Sequence, residues 1–570
     1  GTLLNMGKEV QIVSVGPDHN VQLNKEALES ILLAPNVMDK PVAVVSIMGA
    51  FRQGKSFLLN FLMRYMRSHD KSKWMVDEDT PLEGFSWSTG KERNTRGINV
   101  WDEVFLVPTS TGDELAVLLM DTQGAFDSKS SADETANLFA LSILTSSVQI
   151  YNILRNIQED HLQHLQLVAE YSRATQKSTR GSQFQRLVFL IRDWPFQDDN
   201  AYGATGGHDL LEEFMSTSAE QHKDNKDLRQ CLSSCFSSME CFLMPYPGSE
   251  STRRSFDGRL SPLGNDFKKE LGVLVPWLVG AENLHAKKIA GKQITCKQLL
   301  TYFTAYAKVF KDGKRPHVAT LLKATQEESN RSAKDDARAF YEEQMGKVTY
   351  KNIEELEEIH KTLREKAIKL FRESGKLGGD DVTRRYQDIL EKEIKVTFDC
   401  LVYKQKLLDV KKKEEDIKVA SNDLSAKQKD LNEKEKELQE EKKQLASESS
   451  DVSEKQKALF EKESELKKER EDLASRFNDL HHQKKAVDEE KKKLQKEREE
   501  LMSKLNNTIL GTGIATAILG LASAVLTVVL PPAGLALGAA TAGVGLACAE
   551  AMVEKASLTE EADAPPESTT

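Results

Sequence analysis

The octet Gly49-Ala50-Phe51-Arg52-Gln53-Gly54-Lys55-Ser56 constrains this chain more than any other stretch. It lies between the apolar run Val42–Met48 and the helix-like Phe57-Leu58-Leu59-Asn60-Phe61-Leu62. The order is strand, glycine-bounded loop and helix, in the spacing G-x-x-x-x-G-K-S. Two glycines let backbone N–H groups curl around a phosphate, and a helix N-terminus adds the positive end of its dipole. Lys55 then reaches the β- and γ-phosphates, and the Ser56 hydroxyl suits magnesium. An ordinary glycine turn would leave the Lys-Ser pair unexplained. A strand that ends in such a loop belongs to an α/β domain, with a mostly parallel sheet and helices on both faces.

A second apolar run, Leu115–Met120, ends at Asp121-Thr122-Gln123-Gly124. A buried strand delivering Asp and Gly at its carboxyl end is where a nucleotide hydrolase places a magnesium-side carboxylate and a γ-phosphate-sensing N–H. Asp121 is therefore the second metal-side candidate. Between the two motifs lies Glu92-Arg93-Asn94-Thr95-Arg96-Gly97-Ile98. A threonine in this interval can fold over the γ-phosphate and complete the magnesium shell, and Thr95 is the candidate. A third run, Leu187–Ile191, ends at Arg192-Asp193-Trp194, which places Asp193 to accept from a base edge with two donors, as guanine has. The usual guanine signature N-K-x-D is absent, so these residues alone leave adenine open. Phe242-Leu243-Met244 leads into Pro245-Tyr246-Pro247-Gly248, a loop that could cap the base.

These segments together resemble the atlastins, the dynamin-superfamily GTPases that fuse endoplasmic-reticulum tubules and are related to the guanylate-binding proteins. G-A-F-R-Q-G-K-S-F, G-F-S-W, T-R-G-I-N-V-W, L-L-M-D-T-Q-G, Q-E-D-H-L-Q-H-L-Q-L, L-I-R-D-W and Phe256-Asp257-Gly258 carry the likeness, over roughly residues 40–345. The resemblance implies GTP as substrate, magnesium as cofactor, and Arg192 and Asp193 reading the guanine. It implies that Arg52 is an arginine finger supplied in cis, where a guanidinium would neutralise charge developing on the transferred phosphoryl group. Gln53, Gly54, Phe57, Gln123 and Gly124 complete its nucleotide contacts. Ser251 stands in a base-capping loop, Gly248–Thr252, that departs from the family pattern. A GTP-dependent homodimer forming in trans between membranes is also implied.

The rest of the chain is helical. Pro316 follows a Lys-Asp-Gly-Lys-Arg loop and marks a hinge, and amphipathic patterns follow over Val318–Lys334, Ala337–Gln344, Ile353–Ser374 and Val382–Tyr403. Gly375-Lys376-Leu377-Gly378-Gly379 separates the last two. By resemblance, residues 316–410 are a three-helix middle domain that swings with the nucleotide state. From 411 to 507 the composition turns to Lys, Glu, Gln and Leu without Pro or Gly. Apolar residues recur every seventh position from Ile417 through Leu424, Leu431 and onward to Leu501. Strict sevens imply a left-handed supercoil seam. The companion seam position four residues on is mostly polar (Ser421, Gln428, Glu435, Lys442), with Phe477 and Leu505 the exceptions. A weak or regulated coiled coil is expected, or a solvated helix laced by i,i+4 pairs. Either would extend on the order of 130 Å at about 1.5 Å per residue. The family has no such insertion, which suggests an extended spacer or tether.

Ile509–Ala549 contains no charged residue, and Pro531-Pro532 divides it. Its first arm is long enough to cross a hydrocarbon core, and glycines permit close packing of the two arms. A hairpin anchor in the lipid bilayer over 508–552 is expected, with a short acidic, proline-broken tail over 553–570 that lacks a membrane-binding face. The first twenty residues hold no apolar signal core, so both ends are expected in the cytosol, at the endoplasmic-reticulum membrane by family likeness. The 1–315 segment is the expected GTPase domain. A net charge of −10 argues against a nucleic-acid partner, and six irregularly spaced cysteines form no zinc pattern. Two other readings remain: a GTP-switched coiled-coil tether without fusion, and a guanylate-binding-protein-like defence GTPase.

Overall fold

The computed structural model describes residues 7–50, 54–86, 97–109, 112–123, 131–175, 182–216, 223–253, 255–447 and 453–512. The chain divides into two compact units, one of residues 1–334 with 373–386, the other of 335–372 with 387–570.

Among the described residues the first unit is built on a nine-stranded sheet. Its strands are β1 (Glu9–Val15), β2 (Val21–Leu23), β3 (Val42–Gly49), β4 (Gly97–Trp101), β5 (Phe105–Pro108), β6 (Glu114–Gln123), β7 (Val148–Leu154), β8 (Phe184–Arg192) and β9 (Phe236–Leu243). Their order is β2-β1-β4-β6-β3-β7-β8-β9, with β5 also paired to β6. The five central and right-hand strands β6, β3, β7, β8 and β9 run parallel; β1, β2, β4 and β5 join antiparallel. The expected mixed, mostly parallel α/β sheet is present.

All eight residues of β3 are buried, as a strand covered on both faces requires. Its alternate side chains enter two different cores. Val42, Val44 and Met48 pack with Leu138, Phe139 and Leu299; Ala43, Val45 and Ile47 pack with Leu59, Leu62 and Leu271. The helices covering the sheet include α1 (Lys25–Leu32), α2 (Lys55–Arg67), α3 (Ala132–Thr145), α4 (Glu159–Gln163), α5 (Gln166–Thr175), α6 (Gly203–Met215), α7 (Lys223–Cys235), α8 (Asn265–Val279) and α9 (Cys296–Val309). The Q-E-D-H-L-Q-H segment serves this scaffold. Gln158 N–H donates to His161 Nδ1 at 2.9 Å to cap α4, and His164 Nδ1 lies 3.2 Å from the buried Tyr151 hydroxyl.

Three long helices and one shorter follow: α10 (Val318–Lys347), α11 (Ile353–Glu373), α12 (Asp380–Ser447) and α13 (Ser453–Thr512). The two patterns expected over 318–334 and 337–344 form one helix, since nothing between them breaks it. Its first part belongs to the first unit, where the Tyr171 and Tyr306 hydroxyls lie 2.8 and 3.1 Å from Thr325 Oγ1. The glycine-rich break stands where expected, and Leu377 N–H and C=O are bound by Ser329 Oγ (3.0 Å) and Asn330 Nδ2 (2.7 Å). In the second unit His360 stacks on Phe398 at 4.0 Å and meets the Tyr341 hydroxyl at 2.8 Å.

The 411–507 region departs from the extended span expected of it, whether as coiled coil or as solvated helix. α12 passes position 411 without interruption, ends at Ser447, and α13 runs back along it. Lys406 pairs with Glu497, Lys413 with Glu490 and Lys462 with Glu441, at 2.8, 2.8 and 2.9 Å. Lys442 meets Glu463 at 2.5 Å, and Lys491 meets Glu414. The heptad seam closes on itself: Leu424, Leu431 and Leu438 of α12 and Leu459, Leu473, Val487, Leu494 and Leu501 of α13 are all buried. One leucine per heptad from each helix supplies the seam, so the polar companion positions are free to form ion pairs. A span of about 130 Å is thereby replaced by an arm of roughly 55 Å, taking 1.5 Å per residue over the α12 part. Val487, Leu494, Leu501 and Leu505 pack with Val396, Cys400, Tyr403, Leu407 and Val410, so the end of α13 returns to the root of the arm. No helix among the described residues is long and apolar enough to cross a membrane. The expected hairpin, 513 onward, and the tail lie outside the described residues, as do Arg52, Gln53, Thr95 and Gly124.

Candidate active site

The site lies at the carboxyl ends of β3, β6 and β7, where the connection from β3 goes to one side of it, to β4, and the connection from β6 crosses to the other, to β7. That is where open α/β sheets bind ligands. Ile47 and Met48 are in register with Asp121 and Thr122 on β6, and Gly49 with Asn152 on β7. Gly49 must be glycine, because a Cβ there would stand 2.1 Å from the Asn152 carbonyl oxygen. Gly54, at φ 73°, adopts the left-handed conformation and turns the loop into the first residue of α2. The cap residue Gly54 has no side chain to bond the first N–H groups of this helix, and such groups suit a phosphate.

Lys55 is only 6% exposed and donates to the Ala50 carbonyl at 2.9 Å, so its ammonium is held at the end of β3. Burial lowers its pKa; Asp121 opposes the shift and Arg192 adds to it. Phosphate oxygens would supply the negative charge that this buried cation needs. The Ser56 hydroxyl donates to Asp121 Oδ2 at 2.6 Å, and Asp121 is fully buried. A serine hydroxyl against a carboxylate offers the hard oxygen donors that a small divalent cation prefers. Ser56 and Asp121 therefore fit such an ion, which when bound neutralises charge on the β- and γ-phosphate oxygens.

Arg192 closes another side of the site. A Cβ on Gly54 would lie 3.5 Å from Arg192 Nη1, so the guanidinium stands over Gly54. It lies 3.5 Å from Asp193 Oδ1, and burial lowers its pKa while Asp193 opposes this. Asp193 itself takes φ 54°, a conformation unusual for a non-glycine residue, which turns the chain sharply at the end of β8. Lys55, Ser56, Asp121 and Arg192, expected at separate motifs, are thus gathered around Gly54.

The other expected contacts are placed differently. Phe57 turns its ring into the core, 4.8 Å from Phe61 and 5.8 Å from Phe256, leaving its backbone as what it can offer a ligand. Gln123 is the last residue of β6, opposite Gly97. Ser251 lies in a 3-10 turn, where its hydroxyl donates to the Gly248 carbonyl at 2.6 Å. Two supports were not visible in the motifs. Asn60, inside α2, exchanges hydrogen bonds of 3.0 and 2.7 Å with the Phe85 backbone and so fixes the approach to 87–96. Behind the strand ends, Ser46 and Ser142 Oγ lie 2.7 Å apart and Ser142 donates to Gln149 at 2.6 Å. A lone helix asparagine or buried serine carries no sequence signal of such a partner.

Comparison with known proteins shows the family. The model of the guanylate-binding protein N-terminal domain matches residues 18–288, and that of its C-terminal domain matches 290–426. Human Atlastin-2 is 47% identical over 396 residues, 68% of this chain and 68% of that protein. Mouse Atlastin-1 is 44% identical over 391 residues, 68% and 70% of the two chains, and Atlastin-2 of Xenopus laevis is 45% identical over 398 residues, 69% and 70%. The chain belongs to the atlastin family of dynamin-superfamily GTPases. As an atlastin-type protein it binds and hydrolyses GTP. The structure places the Lys55 ammonium, the Ser56–Asp121 pair and the Arg192–Asp193 turn close to Gly54, an arrangement that would suit phosphate oxygens and a divalent cation.

Proposed function

We propose that this atlastin-type GTPase is anchored in the endoplasmic-reticulum membrane and couples GTP-dependent dimerisation in trans to tethering and homotypic fusion of tubules. The observation that carries the reading is the charge-free stretch Ile509–Ala549, split by Pro531-Pro532, downstream of a GTPase site of this kind. In this reading residues 1–315 hydrolyse GTP, 316–410 transmit the nucleotide state, and 508–552 form a bilayer hairpin with both termini cytosolic. Residues 411–507 are the arm and 553–570 a short tail. Magnesium is held by Ser56, Asp121 and Thr95. Arg52 neutralises the transferring phosphoryl group, and Thr95 orders the loop over the γ-phosphate. Gln53, Gly54, Lys55, Phe57, Gln123 and Gly124 hold phosphates through backbone and lysine donors, while Arg192, Asp193 and Ser251 contact the base.

Reconstitution of the full chain in liposomes tests it. Lipid mixing with GTP, absent with GDP, is expected, and GTP-dependent clustering without lipid mixing would sink the fusion step. Release of the protein from membranes by alkaline carbonate would sink the anchor. The second reading, a GTP-switched tether without fusion, is favoured by the folded arm, a feature suited to association between proteins.

A further inference from the structure

The arm is the part of the molecule that the GTPase reading leaves without a task. Its ion pairs join residues nearly equidistant from position 452: Lys413 with Glu490, Lys434 with Glu469, Glu441 with Lys462. Both flanks of the seam are complementary in this way. A hairpin needs such complementarity only in antiparallel sense; it does not need the seven-residue phase to carry over from its first helix to its second. Here it does continue. Leu445, Val452 and Leu459 keep the count of the flanking heptads with no residue inserted or lost.

The chain reverses between helices elsewhere both with and without glycine: residues 348–352, between α10 and α11, hold none, although Tyr341 meets His360 across them. Between α11 and α12 it spends Gly375, Gly378 and Gly379, with Gly378 at φ 129°. Glu448-Ser449-Ser450-Asp451-Val452 has neither glycine nor proline. Ser and Asp can start a helix, yet they also pass through a helix interior at small cost. The sequence between α12 and α13 is therefore compatible with reversal and with continuation in one heptad phase.

We propose that the arm exchanges between two copies of this chain, α12 of one pairing with α13 of the other in the register each makes with itself. The two copies then form an antiparallel, two-fold symmetric coiled coil. Every seam leucine and ion pair of the folded arm is kept, because the contacts are the same with the partner copy as with the chain's own second helix. Only effective concentration separates the two states, and crowding of copies on a membrane shifts it toward exchange. The contact is built from the coil and is independent of GTP turnover, so it stands apart from the dimerisation proposed for the GTPase unit.

Mixed cross-linking of the full chain in vesicles tests this. One population carries E441C with one affinity tag, the other K462C with a second tag, and a short bismaleimide is added after mixing. A doubly tagged, covalent dimer is expected, several-fold above the background of wild type and of either population alone. The same yield is expected with GDP and with Lys55→Ala, whose failure in the lipid-mixing assay is a separate result. A double variant E441C/K462C in one chain, which links internally when the arm is folded as described, verifies that the substitutions leave the arm intact. Internal links in that variant with no mixed dimer would overturn the proposal. So would E441C linking to E441C, which a parallel coil would give and an antiparallel one forbids.

Discussion

In the GTPase unit position is set by depth, whereas in the α12–α13 arm it is set by phase. β3 is buried along its whole length between two cores, and Ser56 and Asp121 meet because strands paired in register end at the same level. The arm has a seam one leucine wide, bordered by ion pairs whose side chains are about half exposed. A deep core tolerates few alternative partners for its residues. A narrow seam with complementary charges chooses register and direction while contributing little stability per pair. The two regions should therefore respond differently to the same kind of damage.

The largest separation is expected from Lys55→Ala. It should abolish nucleotide binding, measured with a fluorescent GTP analogue, and leave the helical circular dichroism of the arm unchanged. Arg52→Ala should keep binding and lower turnover by roughly 10²-fold or more, as loss of an arginine finger does. Unchanged turnover would remove Arg52 from the catalytic role. In the arm, Leu431→Ala removes a side chain only 2% exposed and should cost about 2–4 kcal/mol of arm stability. Basal GTP hydrolysis should not change, and a parallel loss of hydrolysis would show that the two regions are not independent.

A pH effect is expected in the deep region. Lys287 is buried and donates to the Ser146 carbonyl at 2.8 Å, at the end of α3; burial lowers its pKa to about 7. The unfolded chain holds that proton up to the ordinary lysine range, near pH 10.4. Between about pH 7 and that value the unfolded state thus binds more protons, and stability should rise with pH. Urea denaturation of wild type and Lys287→Met across this window checks the slope, which should be shallower in the variant. The smallest effect is expected from Lys413→Glu opposite Glu490: under about 1 kcal/mol in arm stability, recovered by adding Glu490→Lys. A loss of several kcal/mol would mean that the flanks, and not the seam, hold the arm together.

The folded arm also changes what the insertion means for reach. As one rod it would have moved the apolar stretch far from the middle helices. As a hairpin it brings Leu505 back to the cluster of Val396 and Cys400, so the chain enters 509 and beyond near the level at which the arm began. An added segment need not be an added distance.

The motifs were legible because their physical demands are local. A phosphate loop must lie between a strand and a helix, and a buried strand that is apolar on both faces announces itself over six or eight residues. Lys55, Ser56 and Asp121 could be named on those grounds, as could Asp193 at the end of β8, whereas Arg192 came only with the family resemblance. The ring of Phe57 went into the core instead, because α2 needs an apolar first turn against Phe61 and Phe256. The Asn60–Phe85 exchange and the buried Lys287 had no signal, since each depends on a partner far along the chain.

The sequence by itself determined the α/β class, the phosphate loop and the seven-residue phase of the coil. All of these follow from periodicity and from spacing within one segment. Only the tertiary structure decided that Arg192 stands over Gly54, and that the coil's partner is the chain itself running backwards. Both depend on which distant surface a segment meets. A heptad specifies a stripe and its phase, but the stripe is equally apolar to any matching stripe. Direction came from the charges beside it, read only when two segments are laid together.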